Sequence, residues 1–355
     1  MWTTTNNLVI ADKGLGSVEI LKGGFANTTV GAVTIGNQQS SVGSLDVQGQ
    51  FNMPQNLIIG ASGTGAMKVE NGGAVASGDA HIAQAPHSTG TATVTGANSS
   101  WSVQGALSVG EGGTGELNIQ DGGIVKSGSG QIGGDTGSSG SVVVDGHSSL
   151  WNANAQPGSG VITVGGGGGD GLLKVSNGGQ VIASQVNVNT GGTLAGQGVN
   201  GSVTNNGGTV TPTDGPGLMT IAGNFTQNSG ALIFDIDGDH TGEFDELSIG
   251  GFAHFTGGTI DINFENGFQP LATDRFDLIT ATLGLTESGV TLNVEGLAPG
   301  TEFTEVFSPN GFSFDIGSSG GPPPPPMPEP STLLLLGIGT FTLAGYSRRR
   351  IAAKA

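Results

Sequence analysis

Cysteine is absent from the 355 residues, tyrosine occurs once, tryptophan three times, and only ten residues are basic. The first absence excludes disulfide stapling and is compatible with export. The scarcity of basic residues is sharper than the total suggests, because Arg348, Arg349, Arg350 and Lys354 all fall in the last eight positions. Ahead of Pro328 there are six basic against 27 acidic residues, a net charge of −21. Such a body repels phosphate backbones, which excludes a nucleic-acid partner. The opening residues, MWTTTNNLVIADKG, contain neither a basic region nor an apolar stretch of the export-signal kind. Amphipathic helical periodicity is also missing before the C-terminal tail.

What is present is glycine, 69 residues of it, without a collagen-type period of three. Apolar residues still make up 35%, arriving as short alternating runs between turn residues, which predicts many short strands. The segments from Leu8, Leu57, Leu107 and Ile162 share the pattern L-x-V-G-x-x-G-x-G-x-L-x-V-x-x-G-G, the fourth with one inserted residue. A second unit alternates with the first and ends on an aromatic, at Phe51, Trp101 and Trp151. The pair of units repeats about every 50 residues.

Period-2 alternation puts Val, Ile and Leu on one face and Thr, Ser, Lys and Glu on the other. One unit of about 25 residues cannot bury that face alone, but stacked units can, at about 4.8 Å per coil. The expected fold is all-β, a right-handed parallel β-helix over residues 1–185, with Gly pairs 23–24, 72–73, 122–123 and 178–179 at its corners. Residues 186–316 read as irregular continuing coils or a β-rich cap. Trp101 precedes Leu107 by six residues, Phe51 precedes Leu57 by six, and Trp2 precedes Leu8 by six. The chain therefore reads as beginning in mid-repeat, with a signal peptide and further coils upstream of Met1.

The G-x-G-x-L-x-V-x-x-G-G pattern and the S-S-W or S-x-x-W turn resemble repeats of type V autotransporter passengers and of PEP-CTERM proteins. The resemblance implies a β-helical passenger and brings no catalytic residues with it.

The end of the chain changes character. Residues 317–327 are a Gly/Ser and polyproline spacer, extended and semi-rigid. Pro328-Glu329-Pro330 follows, then the 16-residue apolar stretch Ser331–Tyr346, then Arg348, Arg349 and Arg350. That stretch would be about 24 Å long as a helix, enough to cross a bilayer with arginine snorkelling. The arginines would stay cytoplasmic and leave the repeats outside. Residues 328–350 thus resemble the PEP-CTERM sorting signal, in content and in order. The resemblance implies an exported protein of a Gram-negative bacterium, held in the inner membrane until exosortase, a cysteine transpeptidase-like enzyme, removes the tail. Pro328, Glu329 and Pro330 would be its recognition residues, and biofilm matrix or cell-surface association follows by analogy.

Parallel β-helices include polysaccharide lyases and hydrolases, so catalysis has to be weighed. Lyases of this architecture pair calcium-binding acids with an Arg or Lys base. Here the body holds one arginine, Arg275, while Lys68, Lys126 and Lys174 follow the outward alternation of solvated charges. His81, His87, His147, His240 and His254 lack metal-type spacing, so no metal site, cofactor or catalytic residue is assigned. Two segments suggest calcium more weakly than they suggest turns. Asp235 to Glu246 approximates an EF-hand loop with His240 where glycine belongs, and Gly165–Leu173 fits one lone calcium β-roll nonapeptide. Phe51, Trp101 and Trp151, one per double repeat, read as a packed ladder in preference to a stacking platform for exopolysaccharide. The expectation is a non-enzymatic structural or adhesion-like surface protein, with an exopolysaccharide-binding module as the alternative and a lyase or hydrolase behind it.

Overall fold

A computed structural model describes residues 1–156, 158–212 and 215–317, together with the backbone of Arg350–Ala352. The body is a parallel β-solenoid of about ten coils, and the described residues contain no helix. Each regular coil contributes one strand to each of three sheets. On the first, Gln50–Asn52 pairs with Ala74–Ser77, which pairs with Ser100–Val103. Leu57–Ile59, Ala80–Ile82 and Ala106–Val109 stack in the same way on the second. Thr64–Val69, Thr89–Thr95 and Thr114–Gln120 do so on the third, with every pair parallel.

Strand Thr64–Val69 shows why these residues take this form. Gly65, Met67 and Val69 point inward while Thr64, Ala66 and Lys68 face solvent. Register then carries the inward residues into columns: Leu45, Met67, Ala92, Leu117, Val142, Leu173 and Leu194 lie one above another. Burying each large aliphatic member contributes roughly 1.5–3 kcal/mol. No coil can collect that energy without a neighbour, so stability resides in the stacking.

Glycine has two separate duties in this repeat. Gly72 has φ +84° at the corner after the third sheet, where an L-residue with a side chain would be strained. Gly115 has ordinary φ, but a Cβ there would lie 2.2 Å from the Gly110 backbone nitrogen. Gly16, Gly43, Gly65, Gly90, Gly115, Gly140, Gly171 and Gly192 form one continuous column at this position. Only a residue without a side chain lets the preceding corner fold back that closely.

The 50-residue double period also has a steric cause. One core column of the first sheet reads Trp2, Ala26, Phe51, Val75, Trp101, Val125, Trp151 and Val181. Large and small residues alternate from coil to coil, as close packing at a strand spacing of about 4.8 Å demands. The small coils supply the hydrogen-bond acceptors: Trp101 Nε1 donates to Ser77 Oγ at 3.1 Å and Trp151 Nε1 to Ser127 Oγ at 3.0 Å. Both serines are fully buried. A second alternation runs along the corner, where Ser41, Ser88 and Ser138 of the small coils pack under Gly63, Gly113 and Gly169 of the large ones. The equivalent of Ser77 beneath Phe51 is Thr28, whose buried hydroxyl has no partner because phenylalanine offers no donor.

Beyond Ser176 the coils lose this regularity. Gln180–Asn189 is one strand that pairs with members of both the first and second sheets, and its pairing with Gly198–Thr211 contains register shifts. Asn205 and Gln227 are buried here but satisfied, Asn205 Nδ2 donating to Gln227 Oε1 at 3.3 Å and Gln227 Nε2 to the Thr259 carbonyl at 2.8 Å. The stack ends in antiparallel pairing: Arg275–Ala281 with Gly311–Ile316, and that strand with Glu302–Ser308. Phe264, Phe276, Phe303 and Phe314 pack under this cap with centroid separations of 4.8 to 6.0 Å. The outer edge of Glu302–Ser308 pairs antiparallel with the backbone of Arg350–Ala352.

Candidate functional site

The tail is the first candidate. Pro328, Glu329, Pro330, Arg348, Arg349 and the apolar stretch 331–346 lie outside the described residues, as does the membrane helix expected there. Of the arginine cluster only the Arg350 backbone is placed, opposite Thr304 on the cap. A bilayer span over 331–346 would carry residue 350 to the side opposite the solenoid. Among the described residues no helix is long and apolar enough to cross a membrane.

The acidic stretch after Phe234 is the second. Asp235 faces outward near the end of strand Phe225–Ile236, and its Oδ1 accepts from Asn263 Nδ2 at 3.0 Å. Asp237 Oδ2 accepts from Asn266 Nδ2 at 2.8 Å, again one coil further on. The loop is closed by the Asp237 and Gly238 amides donating to the Glu243 carbonyl at 2.8 and 3.0 Å. Asp245 is fully buried and receives the Gly217 and Asp235 amides at 2.8 and 3.0 Å, which ties the loop to the coil below. Glu246 opens a strand on a different sheet. The EF-hand-like spacing thus folds as a strand, a tight loop and a second strand, with Asp235 and Glu246 on strands of different sheets. Glu265 sits against Asp235 and Asp237, and its carboxyl is raised above the usual range chiefly by the Asp235 charge, then by burial and by Asp237.

At the tip, His240 Nδ1 lies 2.6 Å from Asp239 Oδ1 and 3.3 Å from Glu243 Oε2. These three groups could share a cation, but all are exposed, so water competes at each ligand position. The glycine-rich segment at 165–169 is an insertion at one corner, with Gly165, Gly166, Gly167 and Gly168 all at positive φ before strand Asp170–Ser176 begins. It is the repeat's own corner loop, enlarged.

Lys68 is bound to Glu70 at 2.6 Å, which raises its pKa, and Arg275 to Asp277 at 2.8 Å, with Asp315 at 3.9 Å. His81 and Glu111 meet at 2.7 Å across the solenoid surface. Sequence could not reveal that pair, since 30 residues separate its members and only the register joins them. Phe51, Trp101 and Trp151 are fully buried, interleaved with Val75 and Val125. These aromatics are packed, as expected, one per double repeat with a small residue above and below each ring, and the alternative of a sugar platform on them is overturned by their burial.

Two comparisons bear on the tail and on the body. Residues 328–350 match the family model described as the PEP-CTERM protein-sorting motif. Comparison with curated proteins gave no match. The match covers the tail alone. It marks the chain as an exported protein, transiently anchored in the membrane, whose C-terminus is an exosortase recognition signal.

Proposed function

We propose that this protein is a non-enzymatic structural or adhesion-like component of the cell surface or extracellular matrix. Its solenoid is the exported, persistent part, and exosortase releases that part at the Pro328–Pro330 region. The observation carrying this reading is the union of the two halves: a sorting motif at 328–350 joined to a rigid stack whose side chains are spent on packing. Lys68 pairs with Glu70 and the lone body arginine, Arg275, with Asp277 and Asp315, so each is engaged within the solenoid. An acidic exterior keeps such a rod soluble and stops it from associating laterally with its own kind.

The test is intact mass of the mature protein from its native host and from a strain lacking exosortase. Loss of the tail near Pro328–Pro330 only when the enzyme is present supports the processing step. Surface or matrix residence is read separately, by fractionating cells and extracellular polymer with an antibody to the solenoid. Recovery of the processed chain in the periplasm alone would overturn the surface assignment.

A further inference from the structure

The second sheet carries an uncharged strip in a body whose net charge ahead of Pro328 is −21. Val161–Val164, residues 185–189, 202–206 and 225–229, and Phe252–Phe255 stack there in parallel, and none of them contains Asp, Glu, Lys or Arg. Their outward positions form a row: Thr163, Asn187, Thr204, Thr226, His254 and, on the next strand, Thr286 lie one above another. Five intervals of about 4.8 Å make that row about 24 Å long. Beside it Asn228 Nδ2 donates to Asn206 Oδ1 at 2.9 Å and Thr256 Oγ1 to Asn228 Oδ1 at 3.0 Å, which orders these side chains before any ligand arrives. An exposed aromatic stands at one end of the strip. Phe252, 42% exposed, lies beside His254 with ring centroids 5.8 Å apart and planes 20° from parallel. His254 Nδ1 meets Thr286 Oγ1 at 2.8 Å, which holds the imidazole in place. The register sets Gly284 opposite Phe252, where a Cβ would come within 3.7 Å of the phenyl ring, so glycine leaves the ring open on that side.

The geometry points to this strip as a binding surface for a neutral glycan, a chain of pyranoses with equatorial hydroxyls laid along the axis of the rod. Each part of the surface answers a part of such a chain. The C–H face of an equatorially substituted pyranose carries partial positive charge and packs on the electron-rich face of Phe252. The hydroxyls and amides of the row both donate and accept, as sugar hydroxyls do. The missing charge disfavours other occupants. A basic peptide finds no carboxylate within the strip, and an acidic polymer finds no cation there and a body that repels it. A second copy of the chain would bring the same net charge against its own. Such binding rests on the proposed surface or matrix role and gives it a chemical partner.

The experiment uses the full chain, held in a zwitterionic, sugar-free detergent, with cellohexaose as the neutral probe and hexagalacturonate as the charged one. Titration calorimetry should give saturable binding of cellohexaose and none of hexagalacturonate. Phe252→Ala should weaken that binding about tenfold or more, while its circular dichroism matches the parent's. Phe252→Trp, which offers a wider ring, should bind as tightly as the parent or tighter. Absence of cellohexaose binding, equal binding by Phe252→Ala, or preference for hexagalacturonate overturns the inference. So does light scattering that shows the parent to be a dimer which Phe252→Ala makes monomeric, for the face would then join copies. None of these results touches processing or location, which intact mass and fractionation read on their own.

Discussion

Replacing Trp101 by Phe should reproduce, one double repeat later, the defect that Phe51 and Thr28 already carry. The indole of Trp101 gives its N–H to Ser77 Oγ at 3.1 Å, with both groups buried. Removing the donor leaves a buried hydroxyl unsatisfied, at a cost of about 1–3 kcal/mol. Loss of ring volume adds about 1 kcal/mol or more. Ser77→Ala alone should cost about 1–2 kcal/mol, because it orphans the indole instead. The double variant removes both ends of the bond, so its destabilisation should fall short of the summed single effects by about 1–2 kcal/mol. Guanidinium denaturation followed by circular dichroism measures all four corners of the cycle. Strict additivity would show that the hydrogen bond contributes nothing, and the explanation of the double repeat would then rest on ring size alone.

Phe51→Trp is the complementary change: it supplies a donor to Thr28 Oγ1 and should raise the melting temperature, whereas Val75→Trp puts two large rings in adjacent layers and should lower it by the equivalent of about 1–3 kcal/mol. Gly115→Ala should destabilise strongly in a thermal melt, since the new methyl meets backbone rather than a movable side chain. Asp245→Asn exchanges a carboxylate that accepts two amides for a group with a donor end, and should cost about 2–3 kcal/mol in a denaturant titration. For Glu265 the raised carboxyl means that the folded state holds its proton more tightly than the unfolded one. Stability therefore falls as pH rises from the ordinary carboxylate range through the raised value. Glu265→Gln should melt higher than the parent at neutral pH and equal to it in acid, and equal melting at both would refute the repulsion.

Much of this architecture could be read from the residues because coil, column and corner each leave a periodic trace. The pattern from Leu57 to Gly73 alone announces two strands, an inward glycine and a corner. The six-residue offset from Trp2 to Leu8 places Trp2 in the aromatic column from sequence alone, where the register also puts it. That the aromatics pack was legible, but their interleaving with Val75 and Val125 was not, since it depends on which residue the register stacks against each ring. Nor was the His81–Glu111 contact, which exists only because stacking brings distant residues level. The acidic loop folds as the turn its sequence favoured. Carboxylates at alternate positions satisfy a cation-loop spacing, but in a strand they fan along one face, and their neighbours Asn263 and Asn266 take up the charge. The sorting motif was legible because a receptor reads it as linear sequence.

The direction of the hydrogen bonds has a mechanical consequence. Coil-to-coil bonds run along the axis of the rod, so a pull between its two ends loads successive coils in series. A load borne in series opens the weakest junction first instead of sharing the force across many. Each coil that peels away releases about 80 Å of extended chain from about 25 residues, many times the height it occupied. A rod of this construction yields under tension by lengthening in steps, and what remains stacked keeps its shape.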